Sequence, residues 1–416
     1  MRRRRRPPRW LAVFGVLGPG LIAASAGNDA GAIATHATAG ADYGFGLIWV
    51  MILISLPLFI VQEMCARMGA VTGKGLADLI RERFGVRWTT FAMLTLLVAN
   101  TGTAISEFAG VAAATQLFGI HPVFVIPLVA VLLWVLITRG DYIRVERVFL
   151  AMSLVFLAYP VAAFLAGPDW GEVGRNIVAP SVDLSTGYIV LVIALIGTTI
   201  TPYMQFFVQA TVVDKGVGVA HVTEERVDVA VGSIFANIIV IFIQIATAAA
   251  LFGSGRAVES AADAALALVP VAGPYAFALF GIGLLGASLL AAGVLPLSTS
   301  FAICEAFGFE RGVSRGWQDA PVFYALFTGI LAIAAIVPLI PGIPLIGLLL
   351  AVQVANGLLL PIILVFVTRL ANDRELLGEH ANNLPTRVLA WGTTIVVSVL
   401  ALTLLGLTAL APLFGE

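Results

Sequence analysis

Charge is scarce in this 416-residue chain. Only 11% of its residues are Asp, Glu, Lys or Arg, against about a quarter in ordinary soluble domains. That shortage excludes a cytosolic enzyme, a disordered tail and a nucleic-acid binder. Cysteine is nearly missing as well. Two residues, Cys65 and Cys304, exclude a disulfide scaffold and any Cys-cluster metal site, and both are read as packing residues. No clustered histidines or paired carboxylates lie in the apolar segments, so nothing suggests hydrolysis and no enzyme is expected. Long polar stretches are absent too. The longest polar connection, about 370–386, is too short to hold a soluble domain.

What the chain has instead is apolar length, with 60% hydrophobic residues and a mean hydropathy of +1.02. At about 20 residues per span, the class is a polytopic membrane protein. Eleven apolar runs are legible, at 11–37, 45–68, 88–115, 122–138, 146–167, 187–212, 228–253, 271–305, 319–340, 343–369 and 387–413. The run at 271–305 is long, and its C-terminal end is expected to leave the bilayer. Pro341, Gly342 and Pro344 mark a tight turn between the ninth and tenth runs.

Basic residues set the orientation. Arg2 to Arg6 and Arg9 precede the first run, and alternate connections hold most of the rest, so 21 of 23 Lys and Arg fall on one side. Only Arg175 and Arg256 fall on the other. Excess Lys and Arg marks the cytoplasmic face. The expected topology is therefore a multi-pass protein of the cytoplasmic (inner) membrane, with its N-terminus inside and its C-terminus outside. Residues 1–10 read as a basic cytoplasmic anchor to the inner leaflet.

Two apolar runs are interrupted. Gly27-Asn28-Asp29-Ala30-Gly31 divides the first, and Gly197-Thr198-Thr199-Ile200-Thr201-Pro202 divides the sixth. Proline removes an amide donor and clashes with the preceding turn, so Pro202 should free carbonyls near Thr198. Runs one and six are the first members of two five-span sets, 11–167 and 187–369, with 387–413 as an appendage. An odd-numbered unit that repeats must insert with inverted topology. Interrupted helices at matching positions of inverted halves point to a transporter's midplane site.

Asp29 is one of few acids inside the apolar runs. The others are Glu107, and Glu63 and Glu305 near cytoplasmic ends. A carboxylate beside freed carbonyls suits a hard cation such as Mg²⁺, Ca²⁺ or Mn²⁺, although Asp29 as a cap of the second half-helix is compatible. Thr201 offers a hydroxyl, unless it bonds back within its helix. Thr198 offers a carbonyl. Gln353 offers an amide oxygen or serves as interhelical glue. Glu107 titrates, pairs or is buried protonated. His36, two turns past Asp29, has a proton or gating role or merely lines a cavity.

These residues sit in a pattern that resembles the Nramp family of divalent metal transporters. Gly18-Pro19-Gly20, Asp29, Gly31, Ala34-Thr35, Gly40 and Trp49-Val50 look like that family's first span and its exit. Gln62, Ala66-Arg67, Thr72-Gly73-Lys74 and Leu76-Ala77 are similar to the second span and its loop. Ala194 to Gly197 with Thr199 and Pro202 look like the sixth. Ala291-Ala292-Gly293, Glu305-Ala306-Phe307, Gln353-Val354 with Pro361, and Leu376 to Glu379 with Asn382 continue the likeness in order. The resemblance implies an all-α, LeuT-type 5+5 inverted repeat with an extra eleventh helix, helices 1 and 6 being broken at the midplane. It also implies that the carbonyls of Ala26 and Thr198 face the ion.

The departures carry a direction. The family's Asp-Pro-Gly-Asn reads Asp29-Ala30-Gly31-Ala32 here, so the Asn ligand is lost. Its Met-Pro-His reads Thr201-Pro202-Tyr203, replacing a thioether by a hydroxyl and the proton-linked histidine by Tyr203. Its Asp-Leu-Ala-Glu reads Ala104-Ile105-Ser106-Glu107. Sulfur favours softer transition metals, and its loss removes that discrimination. Mg²⁺ sheds water reluctantly, so a roomier all-oxygen site suits it. The pattern is most like the Nramp-related magnesium transporter branch that lacks the site methionine. The expected function is secondary transport of Mg²⁺ first and Mn²⁺ second, with weak or no proton coupling. The expected metal residues are Asp29, Ala26, Thr198, Thr201 and Gln353, and the proton or gating residues are Glu107, His36 and Tyr203. No cofactor beyond the transported cation is implied. The partners are that ion and the lipid bilayer. The competing readings are a carrier repurposed for an anion or small organic solute, and a non-transporting ion sensor.

Overall fold

The computed structural model describes residues 28–139, 157–180, 182–183, 185–254, 256–269, 273–312 and 316–414. The basic N-terminus, Gly18-Pro19-Gly20, Ala26, and residues 140–156, which include 146–156 of the fifth run, lie outside them.

The described chain forms helices α1 (Ala30–Tyr43), α2 (Ile48–Thr72), α3 (Leu76–Leu117), α4 (Pro122–Arg139), α5 (Ala158–Leu165) and α6 (Trp170–Val178). There follow α7 (Thr186–Thr199), α8 (Pro202–Asp214), α9 (Val222–Leu251), α10 (Ala261–Ala265), α11 (Ala276–Phe307), α12 (Pro321–Ile336), α13 (Leu345–Ala371), α14 (Arg374–Leu377) and α15 (Leu384–Phe414). Among the described residues, nine helical segments are long and apolar enough to cross a membrane, with α7 and α8 counted as one. They correspond to the second to fourth and sixth to eleventh apolar runs. Gly342 (φ 86°) lies in the turn expected between the ninth and tenth.

Two helix starts differ from the expected limits. α3 begins at Leu76 rather than 88, and α9 at Val222 rather than 228. Both extensions carry charged residues, which a search for apolar runs passes over. In α3, Leu76, Ala77, Leu79 and Ile80 are buried while Glu82, Arg83 and Arg87, which follow them, are not. Gly85 (φ 77°) then separates this collar from the membrane-spanning part. In α9, Glu224 and Glu225 occupy the first turn, where the amino-terminal end of the helix dipole favours acids. From Ala276 the run at 271–305 is a single helix to Phe307, closed by Gly308.

Helix α3 packs along α11 and α13, α1 lies on α9, and α7 lies on α13. The last contact is made backbone to backbone. A Cβ on Gly197 would run into the Gln353 carbonyl and Gly357, and one on Gly357 would meet Ile193 of α7. Only residues without a side chain permit this approach, and it presses the interrupted helix against α13. The apolar window of α7–α8 is 89% buried, against 22% for α4 and 28% for α15. The broken helix is thus at the centre and α4 and α15 are at the lipid-facing rim. Cys65 and Cys304 are buried and free, as packing residues.

The Lys- and Arg-rich face is tied by buried ion pairs. Glu63 of α2 binds Arg67 at 3.1 Å and Arg226 of α9 at 2.7 Å. Arg67 also donates to the His380 carbonyl and to Asn382 Oδ1, joining α2 to the loop before α15. Glu305 at the end of α11 binds Arg311 at 2.7 Å and accepts from the Asp78 amide of α3 at 3.4 Å. Removing one partner of a buried pair strands the other charge. Glu63→Ala should therefore lower unfolding free energy in mixed micelles by about 3–5 kcal/mol. The exposed pair Lys74–Glu82 is the control, and Glu82→Ala should change it by at most about 1 kcal/mol.

Candidate functional site

The site is built where the first and sixth apolar runs lose helical geometry. Asn28 and Asp29 are non-helical in the middle of the first run, and Asp29 is extended (φ −74°, ψ 178°). Its Oδ1 accepts the Ala32 amide at 2.7 Å, capping α1. The capping role is therefore real, and it uses one oxygen. Oδ2 has no hydrogen-bond partner although the residue is fully buried. The next free amide of the helix end, Ala30 N, donates to Glu107 Oε2 at 3.2 Å. Ser106 Oγ lies 3.4 Å from Glu107 Oε1. Two buried carboxylates thus share the amino-terminal end of α1, whose unsatisfied amides carry partial positive charge. Of the three readings left open for Glu107, its pairing with this helix end is what the structure presents.

In the sixth run, α7 stops at Thr199, Ile200 leaves helical geometry (φ −115°, ψ 67°), and Thr201 is extended (φ −70°, ψ 144°) before Pro202 starts α8. The amide that would bond to the Thr198 carbonyl in a continuous helix belongs to residue 202, a proline, which has none. The Thr198 and Thr201 hydroxyls are both buried and without a partner. Bonding back within the helix is done by Thr199, to Leu195 at 2.7 Å, and not by Thr201.

Gln353 of α13 closes the gap between the two breaks. Its Nε2 lies 3.5 Å from Asp29 Oδ1, and its amide sits on Gly31, where any Cβ would overlap it. Asn356, one turn later on the same face, donates to Gln353 Oε1 at 3.1 Å and to Thr103 of α3 at 2.9 Å. Sequence reasoning missed Asn356. The signal was its three-residue spacing from Gln353, which puts both on one side of a helix. To present oxygen to a cation, Gln353 must turn its amide over, which a positive charge at Asp29 favours.

Beside this cluster is a small polar cavity. Asn28, Ala32 and His36 line it at four-residue intervals, opposite Gln62, Thr198, Met204 and Asn237. Gln62 Nε2 lies 3.5 Å from the Met204 sulfur, and Ser233 Oγ lies 3.5 Å from Gln62 Oε1. Neither Gln62 nor Met204 was anticipated as part of the site. The cavity lies at Ala32, the position where the family carries Asn. His36 is fully buried with its ring beside the Gln244 amide, neither forming a well-directed hydrogen bond. It therefore faces both this cavity and α9. The Tyr203 hydroxyl lies beside Thr201 and within electrostatic reach of Asp29 and Glu107. Ala26 lies outside the described residues.

The donor set near Asp29 is a carboxylate, hydroxyls, a main-chain carbonyl and an amide. Among the described residues, no three His, Cys, Asp or Glu cluster as a metal site. Such oxygen donors match hard cations, and the one nearby sulfur, Met204, sits in the side cavity.

Comparison with known proteins agrees with this geometry. The family profile described as natural resistance-associated macrophage protein-like matches residues 20–407. A Pseudomonas aeruginosa protein named divalent metal cation transporter MntH 1 is 30% identical over 422 residues, covering 96% of this chain and 92% of that one. The crystal structure of the Eremococcus coleocola manganese transporter, in complex with an aromatic bis-isothiourea substituted compound, superposes with a TM-score of 0.81 at 22% identity. That match covers 99% of this chain and 90% of the other. MhsT in complex with L-phenylalanine superposes at 0.62, with 16% identity over 93% of this chain and 97% of the other. The two named relatives are transporters, not enzymes. The fold is the LeuT type that the family resemblance implies, and with the profile spanning nearly its whole length, this multi-pass membrane protein belongs to the Nramp family.

Proposed function

We propose that the chain is a secondary transporter that moves hard divalent cations, Mg²⁺ first and Mn²⁺ second, across the cytoplasmic membrane by alternating access. The observation that carries this reading is the unpartnered Oδ2 of buried Asp29 at one helix break, with the unpartnered Thr198 and Thr201 hydroxyls at the other. A buried carboxylate oxygen without a donor is costly unless a cation or a proton takes it. Asp29, Thr201, Gln353 and the Thr198 carbonyl serve as ligands, and the Ala26 carbonyl completes the set. The relatives' names, manganese and divalent metal cation transporters, support the cation class.

The choice of Mg²⁺ rests on the two missing ligands. Thr201 gives oxygen where the family gives sulfur. Ala32 leaves the small cavity of Asn28, Gln62 and Asn237 beside the ion, with space for about one water of the kind Mg²⁺ keeps. Ala104 and Tyr203 replace a carboxylate and a histidine that the family links to protons, which supports transport with weak or no proton coupling. Glu107 stays bound to α1, and His36 and Tyr203 act on the opening of the site rather than as ligands.

Flux in proteoliposomes tests this. Wild type should carry Mg²⁺ and Mn²⁺ without acidifying the lumen, and Asp29→Ala should stop both. The double change Ala32→Asn with Thr201→Met should shift the Cd²⁺-to-Mg²⁺ ratio by about tenfold or more toward Cd²⁺. Wild-type flux of Mn²⁺ or Cd²⁺ with none of Mg²⁺ would overturn the magnesium assignment. Unchanged flux in Asp29→Ala would overturn the site.

A further inference from the structure

Away from the ion site, a groove of about 580 Å³ runs between α2, α7 and α15. Each helix contributes one stripe to it. Tyr188, Val192 and Ile196 come from α7 with Ile200 just past its end, and Val388, Gly392, Val396 and Leu400 come from α15, all at four-residue spacing. Leu53 and Pro57 of α2 form the third wall. Twelve residues of helix at 1.5 Å each make a stripe roughly 18 Å long. That is close to one leaflet, half of a hydrocarbon core about 30 Å thick.

The polar groups gather at one end. Trp49 Nε1 donates to the Tyr188 hydroxyl at 3.2 Å, and Asp183 lies there too. Trp and Tyr take this position at membrane interfaces. The deep end closes on Ile196 and Ile200, and Ile200 is the non-helical residue of the break. Helix α15 stands off from its neighbours in between, since a Cβ on Gly392 would meet nothing within 4 Å. Water is a poor occupant, because each molecule needs two to four polar partners and the walls offer almost none.

We propose that this groove is a lipid site that holds one acyl chain of a glycerophospholipid, with the headgroup at Trp49, Tyr188 and Asp183 and the chain end against Ile196. The bound chain braces α7, the half-helix that ends at the ion site, so lipid and transport meet at one element. The proposal stands apart from the choice of transported ion, and its readout needs no metal.

The test uses the full chain in nanodiscs doped with a phosphatidylcholine that carries a diazirine near its acyl terminus. Crosslinks mapped by mass spectrometry should fall on Ile196 or Val396 about tenfold more often than on Val98 or Leu128, lipid-facing residues elsewhere. Gly392→Trp fills the open space and should reduce the groove signal to that background. Val396→Trp, at a position already 56% exposed, should do the same if the first variant does not fold. Equal labelling of groove and control residues in the wild type would overturn the proposal. So would groove labelling that persists in a folded variant.

Discussion

The structure turns on one carboxylate that is only half satisfied. Asp29 spends Oδ1 on the first turn of α1 and leaves Oδ2 buried without a donor. Deep burial of an ionised oxygen is tolerated only with a partner nearby. Everything around it is arranged to make that partner mobile rather than permanent. The helix amides hold the carboxylate in place. Gln353 touches it loosely at 3.5 Å. The opposite break offers oxygens from a backbone that has no helical bond of its own to give up. A fixed arginine would satisfy the same carboxylate and abolish its use for passing ions.

The second requirement is that the interrupted helices be held precisely enough to meet. The contact of Gly197 and Gly357 presses α7 onto α13, and the amide of Gln353 on Gly31 presses α13 onto α1. Neither contact survives a larger residue. Glu107 steadies α1 from α3, through the Ala30 amide. The buried Glu63–Arg67–Arg226 cluster ties α2 to α9 and to the loop before α15 at the basic face. These restraints come from different helices, so the two breaks are positioned by the bundle and not by their own short turns.

Much of this was legible in the sequence, because glycine, proline and an acid inside an apolar run are local signals. Asp29, Pro202 and the run limits needed no neighbours to be recognised. Among the described residues, the nine membrane-length helices follow the apolar runs, apart from the starts of α3 and α9, where charged residues hide the helix from a hydropathy search. The rest depends on chain segments far apart. Asn356 matters because Thr103 and Gln353 converge on it, 253 and 3 residues away. The side cavity exists because Met204 and Gln62 come to lie opposite Ala32. The orientation of His36 toward Gln244, and the partner of Glu107, are likewise properties of packing that one sequence does not display.

The most direct measurement of the central claim is anomalous scattering from crystals of the full chain grown with saturating Mn²⁺. A single strong peak is expected within about 2.5 Å of Asp29 Oδ2 and the Thr198 carbonyl. A peak remote from Asp29, or none between the two helix breaks, would contradict the account.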